Sequence, residues 1–133
     1  MRHARTTGEA KGEMRLHQVA QHAGDLDRAA AFYSSLLGRP PLARFDPPGL
    51  LFFDLGGTRL LLDKAAPSAL LYLEVSDVRS AVEQLRAAGV EVMTEPHVVF
   101  TDTDGTFGPV GQTEWMAFIR DSEGNEVGLA SRE

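Results

Sequence analysis

The sequence predicts an α+β fold in which one unit, strand–helix–strand–strand–strand, occurs twice. Two segments with helical spacing of apolar residues, 26–37 and 78–88, each follow a short apolar strand and a turn that ends in aspartate. Each helix is followed by three strand-like segments, separated by turns or loops rich in glycine and proline. Because one such unit cannot bury its own apolar face, the two copies are expected to complete one core.

The first unit begins with a strand over 15–23. Asp25 is a natural N-cap for the helix 26–37, and Gly38 ends that helix, because glycine readily adopts the left-handed conformation required there. The pair Gly56-Gly57 predicts a tight hairpin turn. The remaining strands of the unit are predicted over 41–45, 50–55 and 58–63.

The second unit repeats this order. Asp77 stands where Asp25 stood, after a strand over 69–75, and Gly89 ends the helix 78–88. Pro96 is expected to break the next strand, and the glycine-rich loop 102–112 is a candidate mobile lid. The strands of the second half are predicted over 90–101, 113–121 and 126–131.

Length and composition indicate one globular domain. The chain has 133 residues, of which 43% are hydrophobic and 24% charged, enough for a core without covalent staples. We expect a polar, disordered tail over 1–13 and a single domain over 14–133, with modules at about 14–63 and 69–131. The absence of cysteine excludes disulfides, thiolate zinc sites and cysteine nucleophiles.

Charge and hydropathy exclude further classes of partner. The formal net charge of −6 argues against nucleic-acid binding and slightly favours neutral or cationic small ligands. No apolar run approaches the roughly 18 residues of a membrane span, and the N-terminus lacks the apolar segment of a signal peptide. The protein is therefore expected in the cytoplasm, without a membrane partner.

Four segments carry a family resemblance: DLDRAAAFYSSLLG (25–38), FFDLGGTRLLL (52–62), LYLEVSDVRSAVEQLRAAGVEV (71–92) and WMAFIRDSEGNEVGL (115–129). In this order they resemble the vicinal oxygen chelate superfamily, which contains glyoxalases, bleomycin-resistance proteins, extradiol dioxygenases and methylmalonyl-CoA epimerases. The resemblance implies two βαβββ modules whose mixed sheet curls into a cup, with the helices outside. It also implies a homodimer.

The resemblance further implies where a metal would be held. Metal enzymes of the superfamily place four ligands inside the cup, and the corresponding positions here are Gln18, Leu61, Leu70 and Gly128. Glutamine is a ligand in some members, but leucine and glycine side chains have no donor atom. We therefore expect neither a metal nor another cofactor.

Strand alternation from these positions defines an apolar concave face with a few polar groups, which is typical of a small-molecule pocket. The residues assigned to ligand binding are Gln18, Leu61, Leu70, Met116, Phe118 and Gly128. The candidates for acid–base catalysis are Glu74, Tyr72 and His22. Each has a simpler interpretation, since Glu74 could meet water at the rim, Tyr72 could fill space, and His22 could be exposed at a strand end.

Three functions remain open at this stage. The first is a metal-free protein that binds a small molecule in an apolar cup at a homodimer interface. The second is a metal-independent enzyme that uses the acid–base residues of the cup. The third is a metal-dependent lyase, isomerase or dioxygenase with atypical ligands. The missing donors place the first function ahead of the other two.

Overall fold

The computed structural model describes residues 15–133, so the tail predicted over 1–13 lies outside the described residues. The first module contains β1 (Gln18–His22), α1 (Leu26–Leu37), β2 (Ala43–Phe45), β3 (Leu50–Leu55) and β4 (Thr58–Asp63). The second contains β5 (Leu71–Glu74), α2 (Val78–Ala87), β6 (Val92–Thr101), β7 (Thr113–Arg120) and β8 (Glu126–Arg132). The predicted α+β class with two βαβββ modules is confirmed. Neither helix of the described residues is long and apolar enough to cross a membrane.

The strands form two mixed sheets of four. Their orders are β1-β4-β3-β2 and β5-β8-β7-β6. In each module the first strand runs parallel to the last, and the other neighbours are antiparallel. The two sheets approach each other where the amide of Ala69 donates to the carbonyl of Ala20, at 3.2 Å. Strands β1 and β5 are edge strands, and the segment that leads into β5 contacts the middle of β1.

The predicted turn and cap residues have the expected geometry. Asp25 accepts a hydrogen bond from the amide of Arg28 at 3.0 Å, and Asp77 accepts one from the amide of Arg79 at 3.0 Å. Gly38, at the end of α1, has φ 68°, in the left-handed region. Asp25 and Asp77, the equivalent points of the predicted repeat, therefore both cap a helix.

The sequence predicted a strand break at Pro96, and the structure does not show one. Strand β6 continues from Val92 to Thr101, and its pairing with β7 shifts in register between Thr94 and His97. Because β6 is an edge strand, the missing N–H of proline costs no bond to a second neighbour. The irregular register absorbs the proline, and the strand goes on.

A single core joins the two modules, because each helix packs its apolar stripe on one face of its sheet. Helix α1 buries Leu26, Ala29 and Tyr33, and α2 buries Val78 and Val82. The sheets contribute alternate residues, which are Leu51, Phe53, Leu60, Leu62, Leu71, Ala117, Ile119, Val127 and Leu129. Each fully buried leucine or phenylalanine stabilises the fold by roughly 1.5–3 kcal/mol, so this face sets the register of the strands that contribute to it.

A polar cluster around Asp121 links the modules inside this core. The buried hydroxyl of Tyr33 on α1 donates to Asp121 Oδ2 at 2.7 Å. Asn125 Nδ2 donates both to Asp121 Oδ2, at 2.9 Å, and to the carbonyl of His22, at 2.8 Å. Burial raises the pKa of Tyr33 far above its usual value, and the adjacent carboxylate of Asp121 adds to that rise. The Tyr33 hydroxyl therefore stays protonated and keeps its hydrogen bond to Asp121.

A second contact between the modules, made by Glu123, lies beside the polar cluster around Asp121. Glu123 accepts hydrogen bonds from Arg28 Nε at 2.8 Å and from the amide of Asp25 at 3.1 Å. The Glu123 side chain is only 1% exposed, whereas that of Arg28 is 56% exposed. The hydrogen bond from Arg28 lowers the pKa of Glu123 to about 2. The turn between β7 and β8 is thus fixed to the start of α1 by a charged contact.

Replacing Tyr33 by phenylalanine is expected to lower the free energy of unfolding by about 1–2 kcal/mol, because Asp121 loses a buried donor while the ring remains. Urea denaturation at pH 7 measures this. The control is Tyr72→Phe, which removes the hydroxyl of a side chain that is 53% exposed and should change stability by less than about 0.5 kcal/mol. Equal stability of the Tyr33→Phe variant and the unmodified protein would contradict a stabilising role for this bond.

Replacing Glu123 by glutamine is expected to destabilise the protein by about 1–2 kcal/mol at pH 7, after allowance for the exposure of Arg28. The pKa of Glu123 is lower in the folded chain than its ordinary 4.5, so its contribution is complete above that pH. It is lost as the pH falls towards about 2.

Urea denaturation at pH 7 and at pH 3 checks this, with Glu95→Gln as the control. Glu95 forms a surface ion pair with Arg86 and is 65% exposed, so its replacement should have a small effect at both pH values. A Glu123→Gln deficit that is as large at pH 3 as at pH 7 would show that the carboxylate charge is not its cause.

Candidate functional site

A cavity of about 740 Å³ lies between the edges of β1 and β5, where the two sheets separate. We call it the β1–β5 cavity. Its lining is mainly aliphatic and comprises Leu16, Val19, Leu37, Leu55, Leu60, Ala69, Leu70, Leu71 and Leu73. The polar side chains in the lining are Arg39, Thr58, Arg59, Tyr72 and Glu74. Size and lining are those of a site for a small organic molecule.

Local structure explains how the first module reaches this cavity. Helix α1 ends at Gly38, so Leu37 and Arg39 stand at its C-terminal end. Arg39 Nη1 donates to the carbonyl of Asp54 at 2.7 Å, which ties the helix end to β3. The turn at Gly56-Gly57, where φ is 65° and 105°, reverses the chain there and places Thr58 and Arg59 at the start of β4.

Arg59 is a charged residue of the cavity lining, and it lies on the face of the first sheet that carries Phe52. Its Nε donates to Gln18 Oε1 at 2.9 Å, and its Nη2 lies 3.0 Å from His17 Nε2. Because a guanidinium has no acceptor, His17 Nε2 is the acceptor in this contact. The Arg59 guanidinium also lies over the ring of Phe52, 5.5 Å from its centroid. The side-chain oxygen of Gln18 is therefore already engaged by a cation.

Two aromatic rings cover Gly128 on the second sheet. Tyr72 and Phe118 meet edge to face, with ring centroids 5.8 Å apart. A Cβ atom at Gly128 would lie 2.8 Å from Tyr72 Cδ2 and 3.0 Å from Phe118 Cε2. The absence of a side chain at 128 is thus what allows both rings to rest on the strand.

The residues proposed for ligand binding and catalysis fall into two groups. Leu70, Tyr72 and Glu74 line the β1–β5 cavity together. The other predicted residues are not part of its lining: Gln18, which contacts the lining through Arg59; Leu61, which is 7% exposed; Met116, Phe118 and Gly128 on the second sheet; and His22.

His22 lies at the end of β1, where its amide donates to Ser68 Oγ at 3.0 Å and its side chain is exposed. It therefore stands apart from Tyr72 and Glu74. Phe53 is buried in the core, and Phe52 lies on the opposite face of β3.

Sequence reasoning missed the part of the site that comes from the helix side of the first module. Leu37, Arg39 and Leu55 line the cavity because the sheet edges separate there, which no local pattern indicates. The sequence did indicate Arg59. It is a charged residue within the apolar strand TRLLLD, and strand alternation places it on the same face as Leu61. A charge placed on a concave face by alternation is a reason to expect a contact to a ligand or to a polar side chain.

Of the four positions that correspond to metal ligands, Gln18 alone carries a donor, and Arg59 engages it. Leu61, Leu70 and Gly128 offer no donor atom. Within residues 15–133, no group of three or more histidine, cysteine, aspartate or glutamate side chains is arranged to hold a metal ion.

The loop 102–112 is anchored at its base, in contrast to the mobile lid that its glycine content suggested. The buried carboxylate of Asp102 accepts hydrogen bonds from the amides of Thr106 and Phe107 and from Arg132 Nη2, each at 2.9 Å. The hydrogen bond from Arg132 holds the pKa of Asp102 well below its usual range. These contacts give no support to a lid.

Comparisons with known proteins agree with this fold. The chain is similar to the solved structure of lactoylglutathione lyase from Agrobacterium tumefaciens, with 22% identity, a TM-score of 0.67, and coverage of 91% of this chain and 96% of that one. It is also similar to TnmS3, an antibiotic-binding protein from Streptomyces sp. CB03234, with 22% identity, a TM-score of 0.69, and coverage of 93% and 100%. At this identity the likeness concerns the fold.

Sequence comparison gives the family. No curated protein matches the chain. The family model described as the Glyoxalase/Bleomycin resistance protein/Dioxygenase superfamily matches residues 15–129. The chain therefore belongs to this superfamily.

Proposed function

We propose that the protein is a metal-free member of the superfamily that binds a small organic molecule in the β1–β5 cavity. The observation that carries this proposal is the cavity of about 740 Å³, whose lining is aliphatic with a few polar groups. A structural neighbour, TnmS3, is an antibiotic-binding protein, so the fold serves ligand binding elsewhere. A binding role needs no catalytic constellation, which suits a cavity that contains Glu74 and Tyr72 but not His22.

The donor chemistry supports the metal-free part of the proposal. A divalent ion needs three or four protein donors that converge. Here one donor is occupied by the Arg59 guanidinium, two positions are leucines, and the rings of Tyr72 and Phe118 lie over Gly128. These residues do not fit a metal ion.

A homodimer in the cytoplasm completes the proposal. In a single chain the cavity is open between two strand edges, and Leu16, Leu70 and Tyr72 in its lining are 67%, 48% and 53% exposed. Exposed apolar side chains around a pocket are typical of surfaces that a partner covers. A second copy of the chain is the partner we propose, because the family resemblance implies a homodimer.

The second candidate function is a metal-independent enzyme. What favours it is that Glu74 and Tyr72, two of the residues predicted for acid–base work, line the same cavity. An enzyme would release its ligand chemically changed, and a binding protein would release it intact. Mass spectrometry of ligand recovered from the protein separates the two.

Binding in the cavity is tested with N-phenyl-1-naphthylamine, a neutral fluorescent probe. Leu70→Asp is expected to weaken probe binding about fivefold or more, because it places a carboxylate in the apolar lining. The matched control is Val110→Asp, a change of the same kind at a residue that is 72% exposed and outside the lining. Fluorescence titration measures both, and equal affinity in the two variants would place the probe elsewhere and count against the proposal.

Adding Ni²⁺, Zn²⁺, Mn²⁺ or Fe²⁺ to protein previously treated with a chelator is expected to leave the melting temperature unchanged. Ligands that bind only the folded state raise the melting temperature, so the absence of a rise reports the absence of a specific site. A rise that saturates at one ion per chain would overturn the metal-free proposal and favour a metal-dependent enzyme with atypical ligands.

A further inference from the structure

We propose that the β1–β5 cavity selects ligands that carry a single anionic oxygen group, such as a carboxylate or a sulfonate, on an apolar body, and that Arg59 is the residue that binds this group. The inference rests on the proposed binding function and adds the chemical class of the ligand. It also reverses the slight preference for neutral or cationic ligands that the net charge of −6 suggested.

The hydrogen-bond partners of Arg59 are neutral, although Asp54 is its cross-strand neighbour on β3. Its partners are the amide oxygen of Gln18 and the imidazole nitrogen of His17, and it forms no ion pair with a carboxylate of residues 15–133. Other arginines of the described part of the chain do form such pairs, among them Arg28, Arg44, Arg79, Arg86, Arg120 and Arg132. Arg59 therefore differs from them in that its hydrogen-bond partners are neutral.

The neutral partners hold the guanidinium in place. Gln18 accepts from Nε, His17 accepts from Nη2, and the Phe52 ring lies beneath, so the group is fixed from three sides. A fixed guanidinium loses little conformational entropy when a carboxylate or a sulfonate binds to it, and it offers a planar fork of donors. Because Arg59 is half-buried, an anion beside it is screened less by water than one at the surface.

A second guanidinium lines the same cavity. Arg39 donates to the backbone carbonyl of Asp54, and its distance to the Asp54 carboxylate is 4.0 Å, the outer limit of an ion pair. Glu74 is the carboxylate in the lining, and Asp54 is the carboxylate beside Arg39. Arg59 is thus the guanidinium of the lining that forms no ion pair within residues 15–133.

The remaining lining defines the rest of the ligand. Aliphatic side chains from both modules provide most of the surface, so the anionic group must be attached to a hydrocarbon or aromatic body. The Glu74 carboxylate disfavours a second negative charge on the same ligand. Apolar monoanions therefore fit the cavity better than polyanions such as nucleotides.

A pair of probes separates the charge from the body. 8-Anilinonaphthalene-1-sulfonate is N-phenyl-1-naphthylamine with an added sulfonate. In fluorescence titrations with the full chain, the sulfonate is expected to bind at least fivefold more tightly than the neutral probe. Arg59→Met, which keeps an apolar stem, should weaken the sulfonate about tenfold and change the neutral probe by less than about twofold.

The matched control is Arg44→Met, which removes the same charge from an arginine outside the cavity lining and should change neither probe. If Arg59→Met does not fold, the unmodified protein still tests the inference, since high salt should weaken the sulfonate and leave the neutral probe unaffected. A neutral probe that binds as tightly as the sulfonate, or an Arg59→Met variant that affects both equally, would overturn the inference while the binding function stands. Failure of both probes to bind saturably would overturn the binding function, and the inference with it.

Discussion

The contact between the two modules depends on the carboxylate of Asp121. It lies in a nearly water-free position and accepts hydrogen bonds from Tyr33 of the first module and from Asn125 of its own turn. Asn125 extends the contact to the carbonyl of His22 and, through its Oδ1, to Ser68. A buried carboxylate without these donors would be strongly destabilising, so the modules must meet in the one arrangement that supplies them.

The same arrangement creates the cavity. The polar cluster and the bond between Ala69 and Ala20 fix one end of β1 to the start of the second module. Away from this point the edges of β1 and β5 are not paired with each other, and the cavity lies between them. The fixed end thus determines which side chains share the cavity. Tyr72 and Glu74 are on the separating edge strand, whereas His22 is at the fixed end.

Local chemistry made much of the fold predictable. The bounds of α1 follow from Asp25 and Gly38, and those of β3 and β4 from their apolar runs and the diglycine turn. The cavity could not be predicted in this way, because it depends on how far two strand edges separate. The bond between Tyr33 and Asp121 and the contact of Arg59 with Gln18 also join residues far apart in sequence. Each involves a side chain whose partner no local pattern specifies.

The bare backbone at Gly128 has a consequence for protein engineering. A designer who wished to install a metal centre in this chain would begin by adding ligands, and position 128 would be an obvious place for one. The Cβ of any side chain there would lie within 3.0 Å of Tyr72 and Phe118, so the two rings would have to move. A ligand at 128 therefore has to be designed together with the side chains at 72 and 118.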